Sequence, residues 1–149
     1  MKGYSPTYDL IRRLSSRNVK LNATCIMTVN QLKCAAESMR DCECGYISVF
    51  AGRIADTDVD PVPLFVKGKE ILANNNKLCL LWASSREVFN IIQADAAGCD
   101  AITLAYPLIR KLSLIGKDLV PYWTYLLINR LVCPSTLNKI PSSQANRAP

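Results

Sequence analysis

The chain has 149 residues, half of them hydrophobic and a fifth charged, and it contains no histidine. That composition supports one packed domain, or part of a larger one, and does not fit a disordered tail. The missing histidine excludes a Ser-His-Asp triad, a Cys-His pair and any His-ligated metal, so acid–base work falls to Asp, Glu, Lys, Tyr, Cys or water.

The first helical stretch is Pro6–Arg17, with Leu10, Ile11 and Leu14 at helical spacing. An apolar run of strand length, Val19–Met27, follows. Thr28 is placed to cap a helix over Val29–Met39, whose Leu32, Ala35, Ala36 and Met39 share one face. Gly45–Phe50 is the second apolar run, and the polar, acidic stretch Ala51–Asp60 reads as the longest loop. Pro61–Ala73 opens with proline and carries Leu64, Phe65, Ile71 and Leu72, the marks of a third helix. Leu78–Ala83 is the third run. A helix is expected over Arg86–Ala97, with Gly98 suited to its C-cap. Cys99–Leu104 is the last run, and Pro107–Leu112 begins a final helix. Four strand–helix units of this size imply parallel strands joined by right-handed crossovers. Continuous apolar strands agree, because parallel sheets are buried on both faces.

From Val120 the character changes. Four of the eight prolines fall in the last 29 residues. Tyr122–Ile128 has helical potential, and Pro134–Pro149 reads as disordered. Half of the net charge of +6 sits in residues 119–149, which hold Arg130, Lys139 and Arg147 and no acid. No run of basic residues interleaves with aromatics, so ordinary solvated charge is favoured over nucleic acid. Seven cysteines, an odd number, follow an opening with no apolar leader, which points to reduced thiols in the cytoplasm. Cys25, Cys79 and Cys99 lie in apolar runs and read as small hydrophobes. Cys42 and Cys44 form a lone C-x-C without a second pair, which argues against a metal site. No stretch reaches the length of a membrane span.

The informative residues interrupt the strands. Alternation places Asn22 and Thr24 on one face of the first strand, and Ser48 and Phe50 on one face of the second. Arg53 lies three residues beyond Phe50, and Ser84 and Arg86 stand just past the third strand. All are read as lying in or beyond the C-terminal half of their strands, and in parallel βα architectures that end carries the ligand. Two arginines and a serine converging there suit an anionic oxygen group such as a sugar phosphate. Taken singly, each has a plainer reading: Asn22 and Thr24 satisfied by backbone, Ser84 capping the next helix, Arg86 solvated in its first turn.

Four segments then resemble one family. Val19-Lys20-Leu21-Asn22-Ala23-Thr24 is similar to the V-x-x-N-x-T strand of the transaldolase family, which includes fructose-6-phosphate aldolase-like class I aldolases. Tyr46-Ile47-Ser48-Val49-Phe50-Ala51-Gly52-Arg53-Ile54 resembles its Y-I-S-x-F-x-G-R-I segment, Ala83-Ser84-Ser85-Arg86 its A-S-x-R turn, and Gly98–Thr103 its G-C-D-x-I-T strand. The resemblance covers about residues 5–119, which divides the chain into a barrel portion, 1–119, and a divergent proline-rich tail, 120–149. It implies the C-terminal half of a (β/α)8 barrel and Schiff-base transfer or cleavage of a dihydroxyacetone unit in sugar-phosphate metabolism of the pentose phosphate type. It calls for no metal and no cofactor. Asn22 and Thr24 would contact the covalent intermediate and its water, Ser48 and Phe50 would line the substrate channel, and Arg53, Ser84 and Arg86 would hold the phosphate.

A barrel of this kind needs roughly 250 residues. By the resemblance, the family's first four strands, with the Schiff-base lysine, would precede Met1. Lys2 falls in a loop, and Lys20, two residues below Asn22, lies about 6.6 Å toward the opposite end of its strand. The expectation is therefore a truncated chain, inactive alone and marginal in isolation, that pairs with a second copy or a separate N-terminal half. The alternatives are a non-catalytic sugar-phosphate-binding remnant and a small basic α/β nucleic-acid-binding module.

Overall fold

The computed structural model describes residues 7–119. The stretch 122–128, the tail 120–149 and Lys2 lie outside the described residues. Of the described residues, 7–112 form one compact unit and 113–119 fall outside it. In the first unit, α1 (Tyr8–Ser15) leads to β1 (Leu21–Ile26), α2 (Val29–Ser38) and β2 (Gly45–Phe50). Then come α3 (Ala51–Ala55), α4 (Val62–Leu72), β3 (Leu78–Ala83), α5 (Phe89–Ala96), β4 (Ala101–Ile102) and α6 (Tyr106–Lys111). The strands form one parallel sheet in the order β1-β2-β3-β4. These are four parallel strands alternating with helices, part of a (β/α)8 barrel.

The local chemistry that starts and stops these elements is readable. Thr28 caps α2 in a complete capping box: its hydroxyl accepts from the Gln31 N–H, and the Gln31 side chain accepts from the Thr28 N–H. Proline occupies the first turns of α4 and α6, where its absent N–H costs nothing. Gly98 follows α5 with φ of 71°, a left-handed stop that glycine adopts without strain. The start of β4 is fixed by Asp100, whose carboxylate accepts the Leu80 N–H at 2.7 Å and pairs with Lys69 at 2.7 Å.

The helix layer covers one face of the sheet. Leu32, Ala35 and Met39 of α2 and Phe65 and Leu72 of α4 bury against Ile47, Val49, Leu80 and Trp82. The Phe65 and Trp82 rings stack at 4.4 Å between centroids and form the largest pair of fully buried side chains. Alternation sends Asn22, Thr24, Tyr46, Ser48, Phe50, Cys79 and Leu81 to the other face. There Tyr46 is 39% exposed, and Asn22 and Thr24 are also exposed.

Three sequence expectations need correction. Residues 51–55 are helical rather than loop, because Ala51, Gly52 and Ile54 turn inward and pack. The helix expected from Arg86 begins at Phe89, because the Asn90 side chain takes the Arg86 and Glu87 N–H groups and holds a turn there. Cys25 is exposed and does not behave as a core hydrophobe. The β1–β2 register runs from Ala23↔Ile47 to Ile26↔Val49, so β1 holds one extra residue. Cys25 takes φ of 62° in this bulge, and Ile26 fills the helix-facing position instead. Among the described residues the fully buried thiol is that of Cys42, which in the sequence stands out only as half of a C-x-C. Cys99 is half-buried, and burial, with Asp100 adding, pushes its thiol up to about 12.

Candidate active site

The rim of the site lies at the carboxyl ends of β2 and β3, whereas Asn22, expected there as well, is the second residue of β1 and level with Tyr46, because β1 begins at Leu21 and not at Val19. Asn22 lies on the uncovered face of β1, one strand away from Ser48. The Ser48 hydroxyl, 3% exposed, donates to Asn22 Oδ1 at 2.7 Å. That bond leaves the Asn22 amide N–H groups facing the uncovered side as neutral donors. Thr24 stands two residues further along the same strand. With Asn22 and Cys25 it borders a groove of about 540 Å³ along the free edge of β1. Tyr8 and Ile11 of α1 and Gln31 of α2 complete that groove.

Phe50 ends β2 half-buried, and the chain turns directly into α3. The Arg53 guanidinium lies 5.7 Å from the centre of the Phe50 ring, a cation–π contact that keeps the arginine near the rim. Phe50 pairs with Ala83 in the ladder, so Ser84 is the next residue on the neighbouring strand. Ser84 takes φ of 62°, which a residue with a Cβ holds only where its surroundings enforce it. It does not cap α5, and that alternative is set aside.

The enforcing surroundings are specific. A Cβ on Gly52 would lie 1.9 Å from the Ser84 carbonyl oxygen and 3.0 Å from both Cγ and Nε of Arg86. Only a residue without a side chain lets α3 approach the 84–86 turn so closely. Ser85 donates to the Thr103 carbonyl at 2.8 Å, which ties the turn to the strand beyond. Arg86 reaches back over α3 and donates to Asp56 at 2.5 Å. Both side chains of this pair are 55% exposed, so the ion pair itself contributes little, about 0–1 kcal/mol. It does show an anionic oxygen already seated on the Arg86 fork.

The seven residues singled out from sequence therefore fall into two linked groups. Asn22, Thr24 and Ser48 line the uncovered face, with Asn22 and Ser48 hydrogen-bonded. Arg53 lies over Phe50 at the end of β2, and Ser84 and Arg86 lie against Gly52 at the end of β3. Another hollow, about 650 Å³ between the C-terminal ends of α2 and α4, holds none of them and lies at the other end of the strands. No lysine stands on β1, β2, β3 or β4, and Lys20 is exposed just before β1. Among the described residues no group of His, Cys, Asp and Glu could hold a metal, and no helix is long and apolar enough to cross a membrane.

A family profile described as Transaldolase/Fructose-6-phosphate aldolase matches residues 5–140. The chain belongs to that transaldolase family. A probable transaldolase of Carboxydothermus hydrogenoformans is 33% identical over 110 residues, covering 71% of this chain and 50% of that protein. One of Nitrosopumilus maritimus is 33% identical over 95 residues, covering 62% of this chain and 41% of that protein. A probable transaldolase 2 of Bacillus cereus is 32% identical over 107 residues, 71% of this chain and 46% of its own length. The chain thus spans about half the length of the curated transaldolases it matches. The family match also runs past residue 119, to residue 140.

Sequence reasoning missed Asp56, Gly52 as a packing element, and Asn90. In the sequence Asp56 is one of three acids in an apparent loop. Gly52 lies inside the Tyr46–Ile54 segment but carries no chemistry of its own. Asn90 sits in an apolar helix stretch, and only its position four residues after Arg86 hints at a side chain reaching back. Gly52→Ala is expected to destabilise the chain by about 1–3 kcal/mol, since backbone rather than a flexible side chain blocks the added Cβ. Urea denaturation of the two proteins measures this, and equal midpoints would contradict it.

Proposed function

We propose that this chain provides the sugar-phosphate half of a transaldolase-type active site. The observation that carries the reading is the close packing of Gly52 on Ser84 and Arg86, which brings the segment after β2, Arg53 included, against the segment after β3. Guanidinium forks and a hydroxyl suit a phosphate monoester. Neutral donors suit the carbinolamine formed when an amine adds to a ketose carbonyl, because they stabilise its oxygen without quenching the amine. In that chemistry the amine displaces the carbonyl oxygen as water. The C4 hydroxyl then gives up its proton, the bond between C3 and C4 breaks, C4 leaves as an aldehyde, and the electrons pass into the iminium to give an enamine; the enamine adds to a second aldehyde or takes up a proton, and water returns to free the amine. Asn22 and Thr24 take the positions beside the reacting carbons, Ser48 and Phe50 line the channel, and Arg53, Ser84 and Arg86 hold the phosphate.

The amine comes from outside the strands β1 to β4. A separate N-terminal half is the better source than a second copy, because a second copy repeats the same lysine-free strands. The groove along the free edge of β1 and the uncovered sheet face are where completing strands would lie. In this reading residues 1–119 are the barrel portion, the protein is cytoplasmic with reduced thiols, and its substrate belongs to pentose-phosphate-type carbohydrate metabolism. The absence of a strand lysine from β1 to β4 also favours a second reading, sugar-phosphate binding without chemistry.

Isothermal titration of the full chain with fructose 6-phosphate tests the binding. Arg86→Ala should weaken it by roughly 1.5–3 kcal/mol, the worth of a charged hydrogen bond. Unchanged affinity would remove Arg86 from the site. Asp56→Asn should strengthen binding about two- to fivefold, because the seated carboxylate no longer competes for the arginine. Weaker binding would show instead that Asp56 orients Arg86 for the ligand. Borohydride reduction in the presence of the same ester should leave the chain alone unmodified. A covalent adduct on it would mean that one of its own lysines supplies the amine, which contradicts an external source.

A further inference from the structure

We infer that Asn90 is a positioning residue, whose side-chain amide sets the backbone of the Ser84–Arg86 turn so that the serine and arginine meet one phosphate. The inference rests on the phosphate-binding role proposed for that turn. Asn90 lies in the first turn of α5 and is 9% exposed, among the few buried polar side chains of the described residues. Its Oδ1 accepts the Arg86 N–H at 2.8 Å and the Glu87 N–H at 3.2 Å. Its Nδ2 donates to Gln93 Oε1 at 2.8 Å, which fixes which end of the amide faces the turn.

The local geometry explains why an asparagine is needed. The chain leaves β3 through Ser84 in the left-handed region and must reverse direction before Phe89. The Arg86 and Glu87 N–H groups lie ahead of α5, outside its hydrogen-bond ladder, and need a partner of their own. Asn90 supplies that partner from inside the helix. It reaches back four residues, with one oxygen holding two successive amides. Ser85 anchors the turn from the β4 side and Gly52 supports it from below. Asn90 is the contact that fixes the direction in which the backbone enters Arg86, and hence where the guanidinium starts. Misplacement of a charged donor by about 1 Å is enough to lose most of its binding.

Asn90→Ala in the full chain tests this, with three readouts: fructose 6-phosphate affinity by isothermal titration, melting temperature, and hydrogen exchange of the Arg86 and Glu87 amides by NMR. The expected result is roughly tenfold weaker ester binding together with fast exchange at those two amides. Asn90→Asp, which keeps the accepting oxygens, should restore slow exchange. If Asn90→Ala does not fold, Asn90→Ser replaces it, since a hydroxyl one atom shorter cannot span both amides. Wild-type affinity in the variant that folds, or slow exchange at both amides in it, overturns the inference. A lower melting temperature with unchanged affinity also overturns it, because that is the mark of a structural role alone. If the unaltered chain binds no ester, the phosphate-site proposal fails. The exchange data then still decide whether Asn90 holds the turn.

Discussion

The contact between Gly52 and the Ser84 carbonyl governs the rim of this molecule. No side chain fits between them, so α3 can turn off β2 and lie directly against the segment leaving β3. Two neighbouring strands therefore deliver their following residues to one place. Arg53 is held there over Phe50, and Arg86 crosses α3 to reach Asp56. Without that approach the two arginines would belong to separate loops.

The sheet supplies the second condition. Helices α2 and α4 cover one face with a packed layer centred on Phe65 and Trp82, which makes the strands rigid supports. On the opposite face Asn22, Tyr46 and Cys79 share one level of the sheet, and Ser48 and Leu81 share the next, so polar and apolar side chains are mixed there. Barrel interiors are filled by side chains from strands all around, and this face presents one side of such a filling. A parallel sheet with one layer of helices explains both the stability of the scaffold and the exposure of Asn22 and Thr24.

Much of this was legible in the sequence, for physical reasons that differ by element. Gly45–Phe50 and Leu78–Ala83 match their strands residue for residue, because short apolar runs bounded by polar turns have few other ways to bury. Thr28 was legible because capping is local. The β1 bulge was not, since an extra residue looks like any other in an apolar run, and Cys25 therefore reads as a small hydrophobe although it is exposed. The helix Ala51–Ala55 was hidden by the acids that follow it. Of the candidate site, the side chains on the uncovered face follow from alternation, and the rim residues were singled out by family resemblance. Their supports were not, because Gly52 and Asn90 act through close approach and through a backbone hydrogen bond, and neither leaves a chemical signature in residue type.

The central claim is that these rim residues form one phosphorylated-sugar site. Amide chemical shifts of the full chain, followed by NMR during titration with fructose 6-phosphate and separately with fructose, test it most directly. The account predicts shifts grouped at residues 22–25, 48–53 and 84–87 with the phosphate ester and much smaller ones with the free sugar. Shifts centred on the hollow between α2 and α4, or no difference between the two sugars, would contradict it.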